Sequence, residues 1–183
     1  AYRALAWAAL EAGVSLDDEA QVLELLDRWQ YRITLLGEQR VTVTLSDSAR
    51  ATDVTALIRT PELSGQVSRV SKHPAVREHL NAMFRELVAT SGLPGVVIEG
   101  RDITTVVAPN APVRILMTAT PEVRAQRRAG ELQGLTREQV LADIEARDAK
   151  DTLVVDFMNP APGVTLVDTS NLNFAQSVQA VID

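Results

Sequence analysis

Residues 95–109 read GVVIEGRDITTVVAP, and this stretch decides the predicted fold class. Residues 95–98 are a glycine and three apolar residues, a composition typical of a strand that enters a hydrophobic core. The charged residues Glu99, Arg101 and Asp102 follow directly, around a single glycine. Because burial of unpaired charge is costly, we expect these side chains to leave the core at the end of the strand and to contact a charged or polar ligand.

Two further apolar runs, residues 112–119 and 163–170, resemble this strand and also end in polar residues. Helical patterns lie between and after these two runs, near 121–132, 136–150 and 174–182. Apolar strands that alternate with helices indicate a parallel sheet covered on both faces. In such open sheets ligands bind outside the carboxyl ends of the strands, which is where residues 99–102 lie.

The N-terminal half combines amphipathic helices with an antiparallel hairpin. Apolar residues at helical spacing predict helices over about 1–13, 17–30, 61–72 and 74–91. Residues 31–45 instead alternate around a turn at Gly37 and Glu38, which predicts two paired strands, and the polar residues 47–55 predict a loop. Since the hairpin and the helices after it interrupt the α/β pattern, we interpret residues 31–90 as an insertion.

The chain begins inside a predicted helix. Residues 1–13, AYRALAWAALEAG, have an apolar face and end at a glycine, but neither a methionine nor a capping Ser, Thr, Asp or Asn precedes them. We therefore interpret Ala1 as internal to a longer protein. The second helix, in contrast, has Ser15 and Asp18 at its start, which predict a capping pair.

The composition fits a folded, soluble domain. With 46% hydrophobic residues among 183, the chain can bury a sizeable core. The net charge of −6 argues against non-specific nucleic-acid binding, and no apolar run approaches the ~20 residues of a membrane helix. The chain has no cysteine, which excludes disulfides, thiolate metal sites and a thiol nucleophile and is compatible with the cytoplasm.

A stripe of arginines is a second candidate site for an anion. Arg124, Arg127 and Arg128 share one face of a predicted helix. In an acidic chain this concentration of positive charge indicates a polyanion such as nucleotide phosphates. The alternative is a solvated face whose arginines pair with Glu122 or Glu131.

Arg101 and the segment ARDAKD at 146–151 allow structural as well as functional interpretations. Arg101 carries a planar group suited to phosphate or carboxylate, and its alternative is pairing with Asp102 or a neighbour at the surface. Arg147 and Asp151 stand four residues apart, an ordinary spacing for a helical salt bridge. From the sequence alone, structural pairing is the preferred interpretation of the cluster formed by Arg147, Asp148 and Asp151.

Other catalytic motifs are absent from the sequence. There is no G-x-S-x-G elbow for a hydrolase nucleophile and no G-x-x-x-x-G-K-[ST] phosphate-binding loop. His73 and His79 fall on different predicted helices without metal-like spacing, so we interpret them as surface or capping residues.

Taken together, these segments resemble the bacterial cytidylate kinase family, P-loop enzymes that transfer phosphate from ATP to CMP or dCMP. The similar motifs are AYRALA at 1–6, DVTALIRTPEL at 53–63, VS at 67–68, HPAVRE at 73–78, LPGVVIEGRDITTVVAPNAPVRILMTAT at 93–120, RAQRR at 124–128, ARDAKD at 146–151 and VDTS at 167–170. The motif GRD is weak alone, but GRD-x-x-T-V-V-x-P combined in this order with IRT-x-E and HP-x-VR-E is highly specific.

The resemblance implies an α/β fold with a P-loop kinase-type parallel sheet flanked by helices. Residues 1–13 and 93–183 would form the core kinase domain, with a mobile lid at about 124–151. Residues 14–92 would form an inserted lobe that binds the nucleoside monophosphate and contains the antiparallel hairpin.

The resemblance also implies site residues. The CMP-binding set is Tyr2, Arg3, Ser68, Arg77, Arg101, Asp102, Arg147 and Asp151. In that set Tyr2 and Arg3 hold sugar and phosphate, Arg101 serves phosphate, and Arg147 and Asp151 contact the ribose. The residues that read the cytosine edge are Ser68, Arg77 and Asp102. The lid arginines over ATP are Arg124, Arg127 and Arg128, and the catalytic residues are Arg101, Arg127 and Arg128.

The remaining implications concern ligands and location. The substrates would be ATP and either CMP or dCMP, and Mg²⁺ would accompany ATP without a dedicated protein ligand. We expect a cytoplasmic monomer with neither a nucleic-acid nor a membrane partner.

Two departures from the family pattern have consequences. Val154 stands where many members have a further phosphate-binding arginine, so phosphate binding would rely more on Arg3, Arg101 and the lid arginines. The family's phosphate-binding loop and first two strands precede the A-Y-R segment, and one of these strands lies between those that match 95–99 and 113–118. We therefore expect unpaired strand edges in this chain and no ATP binding in the family manner.

Two alternative functions stay open at this point. One is another small P-loop kinase with a different acceptor, against which Ser68, Arg77 and Asp102 together argue. The other is a non-catalytic nucleotide-binding module that has lost its phosphate-binding loop. ATP binding by the natural full-length protein would exclude the second.

Overall fold

The computed structural model describes residues 1–46, 50–130, 136–152 and 159–183, apart from the side chains of Arg147, Lys150 and Asp151. Contacts divide the chain into two compact units, Ala1–Val96 and Val97–Asp183. Among the helices described, none combines the length and the apolar character needed to cross a membrane.

Helices, an antiparallel sheet and short turns make up the described part of the first unit. In chain order it contains α1 (Tyr2–Glu11), α2 (Glu19–Arg28), β1 (Trp29–Ile33), β2 (Val41–Leu45), β3 (Thr52–Asp53), a 3-10 turn (Leu57–Arg59), α3 (Pro61–Ser71) and α4 (Pro74–Thr90). The sheet has the order β1-β2-β3, with Trp29 opposite Leu45 and Ile33 opposite Val41. The predicted hairpin is confirmed, whereas β3 lies in the segment that was predicted as loop.

Helix α2 is shorter than predicted at both ends. Its first turn is capped by Asp18, whose Oδ1 accepts a hydrogen bond from the Gln21 N–H (3.1 Å). The predicted capping pair of Ser15 with Asp18 is therefore wrong, because Asp18 itself is the cap and Ser15 lies outside the helix. At the other end Trp29 and Gln30 leave the helix because they pair with β2 in the sheet.

Helix α1 packs its small residues into the centre of the first unit. Ala4 and Leu5 are fully buried, and the helix packs on α3 and on the 3-10 turn. Alanines allow this close approach because they carry almost no side-chain volume. The contacts thus group α1 with residues 14–92, whereas the predicted kinase core joins 1–13 to 93–183, a family-based division that stays a prediction.

His73 precedes α4 and is buried rather than exposed. Its Nε2 lies 2.9 Å from the main-chain oxygen of Leu16, so the ring connects the start of α4 to the segment before α2. His73 occupies the N-cap position of α4, as one predicted alternative has it, although its side chain does not cap the helix. The other alternative, a surface residue, is wrong, because the buried ring satisfies a carbonyl and so has a structural role.

The described part of the second unit contains a parallel strand pair and helices. Its elements are a π-helical turn (Ile103–Val107), β4 (Ile115–Thr118), α5 (Pro121–Ala129), α6 (Arg137–Thr152), β5 (Thr165–Asp168) and α7 (Phe174–Ile182). β4 and β5 run parallel, from Ile115 opposite Thr165 to Thr118 opposite Asp168. The predicted α/β class, with parallel strands here and an antiparallel hairpin in the first unit, is confirmed.

The predicted strand at residues 95–98 is not formed. These residues have no strand partner among those the structure describes, and Val97 is 96% exposed. A strand needs a neighbouring ladder for its backbone N–H and C=O groups, and apolar composition alone does not supply one. Full coverage of the sheet is not found in the described chain either, since Met117 and Leu166 are each about half exposed.

Candidate functional site

Asp148 in the second unit brings together two arginines that are distant in sequence. Its Oδ1 accepts a hydrogen bond from Arg101 Nη1 (2.9 Å), and its Oδ2 lies 2.6 Å from Arg124 Nη1 in an ion pair. Both are ion pairs between a carboxylate and a guanidinium, which are stronger than neutral hydrogen bonds. The arginine–aspartate cluster, defined as Arg101, Arg124 and Asp148, therefore joins the GRD segment, α5 and α6.

The two helices place their members of the cluster through ordinary local signals. Thr120 caps α5, because its Oγ1 accepts from the Val123 N–H (3.4 Å), and Arg124 lies one turn into the helix. On α6, Asp148 follows the buried Val140 by eight residues, which is about 80° further around the helix, and its side chain is only 15% exposed. The face that packs inward therefore carries a carboxylate, which needs a charged partner.

The GRD segment is shaped by a tight turn. The main-chain oxygen of Asp102 accepts hydrogen bonds from the N–H groups of Val106 (2.8 Å) and Val107 (3.3 Å), which closes the π-helical turn. A Cβ added at Gly100 would lie 3.0 Å from two side-chain carbons of Ile103. Gly100 thus allows the Ile103 side chain to approach the backbone.

The three arginines of the predicted stripe have different surroundings. Arg124 belongs to the arginine–aspartate cluster, but Arg127 donates to Thr169 Oγ1 (3.0 Å) and to the main-chain oxygens of Thr169 (2.7 Å) and Leu172 (3.0 Å). Arg128 has no hydrogen-bond partner among the described residues and is half-buried. Arg124 therefore belongs to the cluster, whereas Arg127 joins α5 to the end of β5.

The structural pairing that was considered as an alternative for these arginines is observed in part. Arg101 and Arg124 both pair with Asp148, which lies 47 residues after Arg101. Glu122 forms no ion pair within the described chain, and Glu131 lies outside the described residues. The sequence analysis grouped Asp148 with Arg147 and Asp151 as a cluster for structural pairing, but it did not identify Arg101 and Arg124 as partners of Asp148.

The carboxyl ends of β4 and β5 carry polar residues that satisfy one another. The Thr120 N–H donates to Ser170 Oγ (3.0 Å), and Ser170 donates through its N–H (2.9 Å) and hydroxyl (2.6 Å) to Asp168 Oδ1. These bonds from Ser170 lower the pKa of the Asp168 carboxyl below its usual value. The buried Thr169 hydroxyl donates to the main-chain oxygen of Thr118 (2.9 Å). This network holds the two strand ends together.

The predicted site residues of the first unit lie on α1, α3 and α4. Arg3 donates to the main-chain oxygen of Ile58 (3.2 Å), and Arg77 donates to that of Ser71 (3.4 Å). Tyr2 is half-buried and Ser68 is exposed on α3. A cleft of about 630 Å³ in this unit is lined by Trp29, Tyr31, His79 and neighbouring residues and includes none of the predicted substrate residues.

The other predicted contacts divide between described and undescribed side chains. Asp102 is half-buried at the start of the π-helical turn. Arg147 and Asp151 lie on α6, but their side chains are outside the described part of the structure, and Val154 is outside it entirely. Of the predicted site residues, the structure brings Arg101 and Arg124 together through Asp148, which was expected to form structural pairs but was not among the predicted substrate contacts.

Metal ligands were also sought in the described residues. No group of three or more His, Cys, Asp or Glu side chains in that part of the chain could hold a metal ion. The carboxylate of the cluster is already engaged by two arginines, so it does not resemble a Mg²⁺ ligand set.

The fold and the cluster define a class of protein. A parallel strand pair with polar carboxyl ends, in a unit that also concentrates arginines, is typical of α/β proteins that bind phosphorylated ligands. The cytidylate kinase family pattern matches residues 1–183, and the chain belongs to the cytidylate kinase family. The resemblance stated from the motifs is thereby confirmed, and neither alternative function is favoured.

Individual relatives agree with this assignment. A cytidylate kinase of Cutibacterium acnes is 46% identical over 132 residues, which cover 72% of this chain and 58% of that protein. A cytidylate kinase of Desulforamulus reducens is 38% identical, covering 99% of this chain and 80% of its own length. A bifunctional pantoate ligase/cytidylate kinase of Synechococcus sp. strain JA-3-3Ab is 36% identical over 99% of this chain and 34% of its own length. The chain thus spans only part of the length of these relatives.

Proposed function

We propose that the protein containing this chain transfers the γ-phosphoryl group of ATP to CMP or dCMP and so forms CDP or dCDP. Membership of the cytidylate kinase family supports the reaction. The structural observation that carries the proposal is the arginine–aspartate cluster, in which Arg101 of the GRD motif and Arg124 of the predicted lid meet at Asp148. Phosphoryl transfer depends mainly on positioning and on neutralising phosphate charge, and arginines supply both.

The proposed roles of the arginines follow from their surroundings. Arg101 would bind the phosphate of CMP, and Arg124 would bind phosphate oxygens of ATP from α5. Arg128 would join them on closure of the lid, since no described residue occupies its guanidinium. The catalytic role predicted for Arg127 would require it to exchange its contacts with Thr169 and Leu172 for phosphate.

Selection of cytosine is proposed for Ser68, Arg77 and Asp102. Cytosine presents an amino donor and ring acceptors, so a carboxylate and a hydroxyl can accept from the amine while an arginine donates. A base without the amine would leave these polar groups unpaired, which is the strongest way for a site to reject a ligand. Tyr2, Arg3, Arg147 and Asp151 would hold the sugar and phosphate of the same nucleotide.

The same proposal includes Mg²⁺, closure of the lid, and the location and partners of the protein. ATP would arrive with Mg²⁺ bound to its phosphates, and closure of the lid over ATP would exclude water and limit wasteful hydrolysis. We also propose a cytoplasmic monomer whose ligands are nucleotides, with neither nucleic acid nor membrane as partner. The net charge of −6 supports the exclusion of nucleic acid.

The deciding experiment measures ADP formation by the natural full-length protein with ATP and one acceptor at a time. We expect turnover with CMP and dCMP and much slower turnover with UMP and AMP. Preference for AMP or UMP would assign the protein to another acceptor. Binding of CMP without turnover under any condition would instead indicate a non-catalytic nucleotide-binding protein.

A further inference from the structure

We propose that Asp148 is a positioning residue that holds Arg101 and Arg124 in the arrangement phosphoryl transfer requires. This inference rests on the proposed kinase function. Each oxygen of the Asp148 carboxylate pairs with one arginine: Oδ1 accepts a hydrogen bond from Arg101, and Oδ2 forms an ion pair with Arg124. One carboxylate therefore sets the separation of two guanidinium groups that come from different elements.

Burial distinguishes this cluster from an ordinary surface ion pair. The Asp148 side chain is only 15% exposed, while those of Arg101 and Arg124 are 32% and 30% exposed. Exposed pairs such as Arg85 with Glu78 form in solvent and contribute little. A carboxylate shielded beneath two arginines instead fixes their positions, because each would otherwise repel the other across a short distance.

The carboxylate leaves the arginines able to bind an anion. A guanidinium has five N–H donors, and the bonds to Asp148 use Nη1 of each arginine. Arg124 Nε is buried and has no hydrogen-bond partner among the described residues, so a phosphate oxygen could take this donor only if the surrounding residues moved to expose it. Two guanidiniums and one carboxylate also leave a net positive charge, which attracts phosphate.

Asp148 therefore acts through the arginines and not on the substrate. Both of its oxygens are already occupied by guanidinium N–H groups. If the carboxylate becomes an amide, one arginine loses its charge-assisted bond and the two guanidiniums move apart. Misplacement of groups that stabilise a transition state lowers kcat more than it raises KM.

The first test compares Asp148→Asn with Asp143→Asn in the natural full-length protein. Asp143 lies on the same helix, is exposed and forms no ion pair with any described residue, so its change removes the same charge without touching the cluster. We expect Asp148→Asn to lower kcat with CMP by about 10- to 100-fold and to change both KM values much less. Asp143→Asn should resemble the wild type, and Asp148→Glu should retain more activity than Asp148→Asn.

A double-mutant cycle separates positioning from a general structural role. In a background that carries both Arg101→Gln and Arg124→Gln, Asp148→Asn should lower kcat by less than about twofold further, because Asp148 acts through these two arginines. If Asp148→Asn does not fold, the same cycle is made with Asp148→Glu. Additive effects in the cycle would overturn the proposal.

Failure of the two proposals would look different. A wild-type protein that forms no ADP with CMP would overturn the proposed function, and with it this inference. An active wild type whose Asp148→Asn variant has the same kcat as Asp143→Asn, or a higher one, would overturn the positioning role alone. Circular dichroism melting of each variant shows that the compared proteins are folded.

Discussion

Arg127 is the residue that connects α5 to the end of β5. Its guanidinium donates three hydrogen bonds to Thr169 and Leu172. The Thr169 hydroxyl in turn donates to the main-chain oxygen of Thr118 in β4. Main-chain carbonyls that receive a charged donor are held more firmly than those that receive a neutral one. At the residue scale, Arg127 thus maintains the location from which Arg124 reaches Asp148.

We expect Arg127→Ala to lower the free energy of unfolding by about 1–3 kcal/mol, because it leaves carbonyl groups near Thr169 without their donor. Arg128→Ala is the matched control, since Arg128 is adjacent and has no hydrogen-bond partner among the described residues. The control should change stability by less than about 0.5 kcal/mol. Urea denaturation measures both, and equal effects of the two substitutions would contradict the structural role of Arg127.

At the scale of elements, α2 and α3 are joined by a charged contact. Asp17, just before α2, accepts hydrogen bonds from Lys72 Nζ (2.7 Å) and from Arg69 Nε (2.9 Å) at the end of α3. The bonds from Arg69, followed by those from Lys72, hold the pKa of the Asp17 carboxyl well below its usual range. The contact is exposed, so solvent and salt weaken it.

This depressed pKa predicts a direction for the pH dependence of stability. A carboxyl whose folded-state pKa lies below its unfolded value of about 3.9 stabilises the fold above that pH, and the contribution is lost as pH falls toward the folded pKa. Asp17→Asn should therefore be less stable than wild type at neutral pH, and the difference should shrink below about pH 4.

The control for this prediction is Asp27→Asn, an exposed aspartate on α2 that forms no ion pair with a described residue. Thermal melts of wild type and both variants across the acid range measure the differences. A gap between wild type and Asp17→Asn that stays constant from neutral to acid pH would contradict the assignment of the stabilising charge to Asp17.

At the scale of the whole molecule, a kinase must recognise two different nucleotides with separate groups. The site residues predicted for CMP are distributed over both compact units, while the lid arginines all lie in the second. Single substitutions should therefore affect the two substrates unequally. Asp102, which is proposed to contact the cytosine, should show the largest difference between the effects on the two substrates.

We expect Asp102→Ala to raise the KM for CMP far more than the KM for ATP in the natural full-length protein. The carboxylate would accept from the cytosine amine, and its loss leaves a polar edge of the base unpaired. Glu99→Ala removes an exposed acidic residue of the same segment and serves as the control. Steady-state kinetics with each substrate varied in turn measures the effect, and equal increases in the two KM values would refute base recognition by Asp102.

Local signals predicted most of the elements because they act within a few residues. Pro61 and Pro74 begin α3 and α4, and the alternation of residues 31–45 produced the hairpin. The prediction failed at residues 95–98, where strand-like composition meets no partner strand among the described residues. Pairing is a property of two segments, so composition of one segment does not determine it.

The sequence by itself determined the fold class, the helix starts and, through ordered motifs such as GRD and HPAVRE, the family. Only the tertiary structure decided which charges meet. Arg101 pairs with Asp148, which lies 47 residues further along the chain. Arg127, which was predicted to bind phosphate, donates a hydrogen bond to Thr169. Helical spacing predicts which residues share a face of a helix. Which other segment that face contacts depends on how the helices pack, and packing depends on contacts between distant parts of the chain.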